Sequence, residues 1–260
     1  MFNYLFLHIY NKIHQMPFTI SHIAAILPLK KYTVKYFSFS ALVIGSMAPD
    51  FEYFLRMKLY GHYGHRLIGI FTFDLPVSIL LYILFHLVVR EQFITHSPKY
   101  FYSRICGAMN YQWKPKHFKQ YSIIICSIFI GIITHFIWDG FTHDEEYVVA
   151  KYFTFLLYRI NIAGTFIPVH FMLQILSSVA GIIILISYIT RMKTISAKQE
   201  TPFSEIVKYW SITALLAVLI FILRCIIGIP QEKFFGQLIV ISISSFLLSL
   251  FLISLLYKIK

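Results

Sequence analysis

Five long apolar stretches constrain the fold of this chain more than any other feature. A helix rises about 1.5 Å per residue, so about 20 apolar residues are needed to cross the hydrocarbon core of a bilayer. The stretches of that length are residues 70–89, 121–139, 165–190, 209–227 and 234–257. A sixth apolar run, residues 36–48, is too short to span and suits a buried or interfacial helix. The sequence therefore predicts an all-α, polytopic membrane helix bundle with about five transmembrane helices.

Composition supports a lipid-covered surface. Hydrophobic residues make up 58% of the chain and charged residues 13%, against about 25% charged in soluble domains. The formal net charge of +12 is best explained by basic loops held against anionic membrane lipids. We therefore expect membrane lipids as partners and no nucleic acid. The oligomeric state is not indicated.

Orientation is predicted from the distribution of Lys and Arg. Basic residues are concentrated after the first span, after the third span and in the C-terminal tail, while the loops on the other side hold Lys151, Arg159 and Lys233. The positive-inside rule then predicts a multi-pass protein of the cell (inner) membrane with a cytoplasmic C-terminus. The cations Lys30, Lys31 and Arg56 run against this assignment, because they would lie outside.

Four regions are expected along the chain. Residues 1–15 are a doubtful N-terminal extension, too short to span and without a clean cleavage site, and Met16 is the alternative start. Residues 16–192 form a membrane domain, and residues 193–208, which contain Pro202, form a linker. Residues 209–260 are expected to be a C-terminal transmembrane hairpin with little chemistry beyond Arg224.

The strongest chemical motif ends the second span. His135, Asp139 and His143 are spaced four residues apart, which places them on one face of a helix. Gly140 leaves open whether His143 lies on that helix or in the loop beyond it. Two imidazoles and a carboxylate at this spacing are suitable ligands for zinc or a similar divalent ion. The alternative is a hydrogen-bonded helix end with Asp139 paired to Lys or Arg.

A second group precedes the first span. Asp50 and Glu52 are two residues apart, and carboxylates so close repel each other unless a cation or proton lies between them. His62 and His65 follow on a glycine-containing segment, while His22 begins the apolar N-terminal stretch. Each of these features is weak alone, and a lone histidine such as His22 is more often structural than a ligand.

Topology can bring the two groups together. The first span leaves the side that holds Asp50 and His65, and the second span returns to that side and delivers Asp139 and His143. If residues 36–48 do not span, His22 lies on the same side. The number of spans therefore predicts one shared site at one membrane face.

The motifs also carry a resemblance. MPFTISHIAAILPL, SALVIGSMAPDFEYFLR, the GH-GHR segment, FDLP and THFIWDGFTH resemble an uncharacterised bacterial membrane family, domain of unknown function 4184, over residues 16–192. The His, Pro-Asp, His and His-x-x-x-Asp pattern is distantly similar to inner-membrane metal-dependent hydrolases and to zinc-dependent phospholipase C. This resemblance implies metal ligands at His22, Asp50, His65, His135 and Asp139. The related hydrolases have Asp where this chain has Glu52.

The resulting hypothesis is a membrane-embedded, metal-dependent hydrolase that holds one or two divalent ions, zinc first among them. Its site is expected at the non-cytoplasmic face, where a lipid or lipid-linked phosphoester is the expected substrate. Glu52 is the expected general base, and His143 the general acid or a further ligand. The alternative is a non-enzymatic membrane protein in which these residues form a transport site or proton relay, or are structural. Haem ligation is disfavoured because a CxxCH motif is absent.

Overall fold

A computed structural model of the chain describes residues 19–111, 114–142, 152–162, 164–196 and 198–259. Residues 1–15, Met16 and His143 lie outside these ranges. Residues 19–36 form a succession of short helical turns. The helices that follow are α1 (Phe39–Met47), α2 (Phe51–Arg56), α3 (Ile70–Thr95), α4 (Lys99–Ile105), α5 (Phe118–Thr142), α6 (Val169–Arg191), α7 (Phe203–Ile226) and α8 (Phe234–Ile259). A small antiparallel hairpin of β1 (Arg159–Ile162) and β2 (Thr165–Pro168) precedes α6.

Five of the described helices are long and apolar enough to cross a membrane: α3, α5, α6, α7 and α8. They correspond to the five predicted spans and confirm an all-α bundle of a multi-pass membrane protein. The first span extends beyond its predicted end, because the helix continues past Arg90 to Thr95. The sixth apolar run forms the short helix α1, which ends at Met47 just before Pro49.

Close contact between α1 and α5 organises the site. A Cβ atom at Gly45 would collide with the Ile128 carbonyl oxygen, and one at Gly131 would collide with the Leu42 carbonyl oxygen. Small residues at these positions let the two backbones approach, as in other membrane helix pairs. The end of α1 and the turn after it are thereby held against the C-terminal half of α5.

The C-terminal hairpin of α7 and α8 packs against this domain. The Trp210 indole donates to the His96 carbonyl oxygen at 2.7 Å, and the Leu59 N–H donates to Gln237 Oε1 at 2.8 Å. Lys258 donates to the Leu87 carbonyl oxygen in the C-terminal half of α3. The hairpin therefore contacts the domain at the C-terminal part of α3 and at the loop between α2 and α3.

Candidate metal centre

The C-terminal part of α5 supplies the first two side chains of the candidate centre. His135 and Asp139 are one helical turn apart and both buried, with His135 Nε2 3.0 Å from Asp139 Oδ2. His135 Nδ1 lies 2.8 Å from the Ser46 carbonyl oxygen at the end of α1. A carbonyl can only accept, so Nδ1 carries a proton and Nε2 is the ring nitrogen that faces the centre. Ligating histidines are commonly oriented in this way.

The turn after α1 supplies Asp50. Its side chain is buried, and Oδ2 accepts a hydrogen bond from Thr19 Oγ1 at 2.5 Å. Oδ1 lies 3.4 Å from His65 Nε2 and 3.9 Å from His135 Nε2. Burial alone would raise the pKa of Asp50, but His135 and His65 outweigh it and hold the pKa at about 2. Asp50 is therefore an anionic donor, and Thr19 orients it.

Glu52 holds the loop that presents His65. Its buried carboxylate accepts hydrogen bonds from the backbone N–H groups of His62, Tyr63 and Gly64, each at 2.8 Å. The Arg56 guanidinium binds the same carboxylate at 2.9 Å. Burial would raise the pKa of Glu52, but these donors lower it below its usual value. Both oxygens are engaged, and these contacts indicate a positioning role. Its predicted role as general base stays a prediction.

His65 faces the other ligand candidates. Its Nε2 lies 3.4 Å from His135 Nε2 and 3.5 Å from Asp139 Oδ2, and its Nδ1 lies 3.4 Å from the Tyr53 hydroxyl. The side chain is 17% exposed, which makes it the most accessible of the five. Burial lowers the pKa of His65, but Asp139 and Asp50 outweigh it and raise the pKa to about 10. The two carboxylates thus favour a positive charge between these side chains.

His22 completes the cluster from the N-terminal turns. Its ring stacks on the ring of His135 with centroids 4.1 Å apart, and its Nε2 lies 3.5 Å from Asp139 Oδ1. The backbone of Ser21 packs against α6 at Gly181, where a Cβ atom would lie 2.9 Å from the Ser21 carbonyl oxygen. The contact with Gly181 therefore fixes the segment that carries His22.

The five predicted ligands thus lie together. His22, His135 and Asp139 form one group and Asp50, His65 and His135 another, each with donor atoms within 4.8 Å. A zinc ion with four donors at about 2.0–2.1 Å places those donors about 3.3 Å apart. Most measured separations lie between 3.0 and 3.5 Å. The set is compatible with one ion, or with two that share His135, and the ligand roles stay a prediction.

The other candidates lie elsewhere or outside the described residues. His143, predicted as acid or ligand, is outside them. His62 is exposed and contributes its N–H to Glu52, and its ring packs against Tyr63. His170 Nδ1 lies 3.2 Å from the Leu156 carbonyl oxygen. No pattern in the sequence pointed to Thr19 or to the Ser46 carbonyl, because both contacts depend on the tertiary fold.

Asp74 lies beside the cluster, on α3. It is fully buried, and neither of its oxygens has a hydrogen-bond partner among the described residues. A Cβ atom at Gly64 would lie 3.4 Å from Asp74 Oδ1, so Asp74 borders the loop that carries His65. Asp74 is therefore a further buried carboxylate next to the proposed ligands.

Comparison with known proteins identifies a family but no characterised relative. No curated protein and no solved structure matches the chain. The similarity to metal-dependent hydrolases and to zinc-dependent phospholipase C therefore stays a prediction. The profile of the family described as domain of unknown function (DUF4184) matches residues 16–255, which extends past the predicted end of the resemblance at residue 192 and covers most of the C-terminal hairpin. The chain belongs to this family, whose function is unknown.

Proposed function

We propose that this protein is a membrane-embedded, metal-dependent hydrolase. In this proposal one or two divalent ions, zinc first among them, are bound by His22, Asp50, His65, His135 and Asp139. The observation that carries it is the convergence of two imidazole Nε2 atoms and two carboxylates. His135 Nε2 lies within 4 Å of His65 Nε2, Asp50 Oδ1 and Asp139 Oδ2.

Electrostatics favours a cation at this position. Asp50 and Asp139 are two buried carboxylates that repel each other unless a cation lies between them. A proton relieves part of this repulsion, whereas a divalent ion neutralises both carboxylates and binds several donors at once. Imidazole nitrogen and carboxylate oxygen form a donor set that suits zinc, and the five donors come from separate parts of the chain that the fold holds together.

The chemistry expected of such a centre is hydrolysis. A bound divalent ion lowers the pKa of its water to about 7 and polarises a phosphoryl or carbonyl oxygen. The residues of this chain bind and orient: the Ser46 carbonyl fixes the tautomer of His135, and Glu52 fixes the loop before His65. Partial exposure of His65 gives a substrate one side from which to approach.

The surroundings of His65 suit an anionic amphiphile. Lys58 and Arg66 are exposed on the same loop, as are the apolar side chains of Leu67 and Ile68, and Phe71 is exposed in the first turn of α3. Exposed cations next to exposed apolar groups complement a phosphate head group with attached acyl chains. This combination supports a lipid or lipid-linked phosphoester as the substrate. The proposed location at the non-cytoplasmic face of the inner membrane depends on the positive-inside rule.

Metal content tests the proposal. Protein purified without chelator is analysed by inductively coupled plasma mass spectrometry, and one to two ions per chain are expected. His65→Ala and Asp139→Asn should lose most of this metal. His62→Ala is the matched control, because it removes an exposed imidazole from the same loop and should keep wild-type content. Absence of stoichiometric metal from the wild type would end the proposal.

Activity is tested separately on metal-loaded protein in detergent. A panel of phosphodiester, phosphomonoester and acyl ester lipids should include a substrate whose hydrolysis requires the metal and is lost in Asp139→Asn. Stoichiometric metal without hydrolysis of any lipid in the panel would contradict the hydrolase and favour the non-enzymatic alternative.

A further inference from the structure

A buried polar stripe runs along α3 away from the candidate centre. Asp74, Ser78, Tyr82 and His86 follow one another at intervals of four residues, and their exposed fractions are 0, 0, 3 and 5%. Twelve residues of helix extend about 18 Å, more than half of the about 30 Å hydrocarbon core. Ionisable groups at such depth are costly and in membrane proteins commonly mark proton or ion pathways.

Tertiary packing keeps the stripe buried along its whole length. In an ideal α-helix, residues four apart are rotated by about 40° from each other, so the stripe winds around α3 and needs cover from more than one neighbour. At its far end this cover includes Ser40 on α1, which contacts His86. Two π-helical turns, Ile70–Asp74 and Phe85–Val89, flank the α-helical segment that carries Ser78 and Tyr82. Such π-turns inside α-helices are frequently found at functional sites.

At the end far from the centre, the stripe joins a group of hydroxyls. Ser40 Oγ lies 2.8 Å from His86 Nε2 and 3.4 Å from Ser38 Oγ, and the Tyr111 hydroxyl donates to Ser38 Oγ at 3.2 Å. The rings of Tyr82 and His86 are 4.4 Å apart. Tyr111 is 42% exposed, and its carbonyl oxygen accepts from Arg90. The hydroxyl network therefore reaches the surface of the protein.

At the end near the centre, the stripe contains polar atoms that no described part of the protein satisfies. Neither oxygen of Asp74, nor Ser78 Oγ, has a hydrogen-bond partner among the described residues. Buried groups of this kind require water or an ion to satisfy them. The electrostatic neighbours of Asp74 include His65, His135 and Asp50, which ties this end of the stripe to the cluster.

We propose that this stripe is a hydrated proton path through the membrane domain, from the candidate centre to the opposite face. Carboxylate, hydroxyl, phenol and imidazole groups can each accept a proton on one side and release one on the other. Each transfer forms one O–H or N–H bond and breaks another, so one proton crosses and no group is consumed. The four side chains of the stripe are spread along about 18 Å of helix, whereas a metal cation needs several oxygens around one point. The path rests on residues other than the proposed ligands and does not require hydrolysis.

Proton flux into proteoliposomes tests the path. Protein is reconstituted with a pH-sensitive dye inside, and a potassium gradient with valinomycin supplies the driving potential. Wild-type vesicles should acidify faster than protein-free vesicles. Ser78→Ala and Tyr82→Phe should each reduce the protein-dependent flux by about tenfold or more. This expected loss is smaller than the roughly 10²–10⁴-fold that a positioned proton-transfer group contributes to catalysis. Both substitutions remove one hydroxyl and should leave metal content unchanged.

Tyr209→Phe is the matched control. It also removes a buried tyrosine hydroxyl from a membrane-spanning helix, one that is hydrogen-bonded to Ser254 at 2.8 Å. This variant should keep the wild-type flux. A wild-type flux equal to that of protein-free vesicles would overturn the path, as would equal flux in Tyr82→Phe and wild type. Metal content is measured on the same preparations, so failure of the metal proposal is seen independently of failure of the path.

Discussion

The membrane domain and the C-terminal hairpin bury polar side chains for different reasons. In the hairpin several of these groups are neutral hydroxyls that bond to carbonyls of the hairpin itself. Thr213 donates to the Tyr209 carbonyl oxygen on its own helix, and Ser249 donates to the Thr213 carbonyl oxygen on the neighbouring helix. Small hydroxyl residues of this kind pack membrane helices together. In the membrane domain the buried groups are ionisable and face one another, as His135 and Asp139 do. The chemical type of a buried polar group, and whether it faces other ionisable groups, therefore distinguishes a candidate site from packing.

The largest difference between the two regions is expected for removal of a proposed ligand. His135→Ala deletes the imidazole that faces both carboxylates, so affinity for zinc should fall by about 10³-fold or more, beyond the 10–100-fold typical of outer-shell residues. Ser249→Ala in the hairpin should leave affinity unchanged. Competition with a fluorescent zinc chelator measures both. Equal affinities in the two variants would remove the proposed distinction between the regions.

Glu52 sharpens the comparison, because the sequence suggests a base and its contacts suggest a positioning group. In Glu52→Gln an NH2 group, which cannot accept hydrogen bonds, replaces one carboxylate oxygen. The loop before His65 should therefore loosen. Zinc affinity should fall by about 10–100-fold, as for other outer-shell changes. Glu205→Gln, which alters an exposed carboxylate on α7, is the matched control. Unchanged affinity with a large loss of hydrolysis rate would instead support the general base.

The pH dependence of metal binding is a smaller effect with a definite sign. The pKa of His65 is raised to about 10 by Asp139 and Asp50, so below that pH a proton occupies the position that a metal ion would take. Binding must release this proton. Affinity should therefore rise with pH between 6 and 9, by about tenfold per pH unit for one released proton. Titrations at several pH values measure this slope, and an affinity independent of pH would argue against His65 as a ligand.

The smallest expected effect lies in the hairpin. Tyr209→Phe removes a single neutral hydrogen bond to Ser254 and should reduce the free energy of unfolding by about 0.5–1.5 kcal/mol. Metal content should stay at the wild-type level. Unfolding in a denaturing detergent, with metal analysis of the same protein, checks both expectations. Loss of metal in this variant would show that the hairpin contributes to the centre beyond packing.

Most of the candidate site follows from the sequence because the number of spans decides which loops meet. His22, Asp50, His65, His135 and Asp139 are far apart along the chain, yet helices that cross and return bring them to one end of the bundle. What the sequence did not predict depends on backbone placement. The three N–H groups bound by Glu52 and the Ser46 carbonyl become visible only when the loop and the α1–α5 contact are built.

The stripe on α3 can be predicted from the sequence only in part. Its four-residue spacing is visible in the sequence from Asp74 to His86. Its burial at all four positions depends on how other elements pack against α3, as Ser40 on α1 does at His86, and the spacing alone does not show this. The hairpin, expected as an appended unit, is bonded to the rest of the protein at Leu59 and Leu87 and is largely covered by the family match.

X-ray absorption at the zinc edge of zinc-loaded, detergent-solubilised protein tests the central claim most directly. The five side chains predict a first shell of nitrogen and oxygen atoms at about 2.0–2.2 Å, with the outer scattering of imidazole rings and no sulfur. A shell with sulfur at about 2.3 Å would place the metal on cysteine. That result, or a spectrum of hydrated zinc without imidazole scattering, would contradict a centre built from these histidines and aspartates.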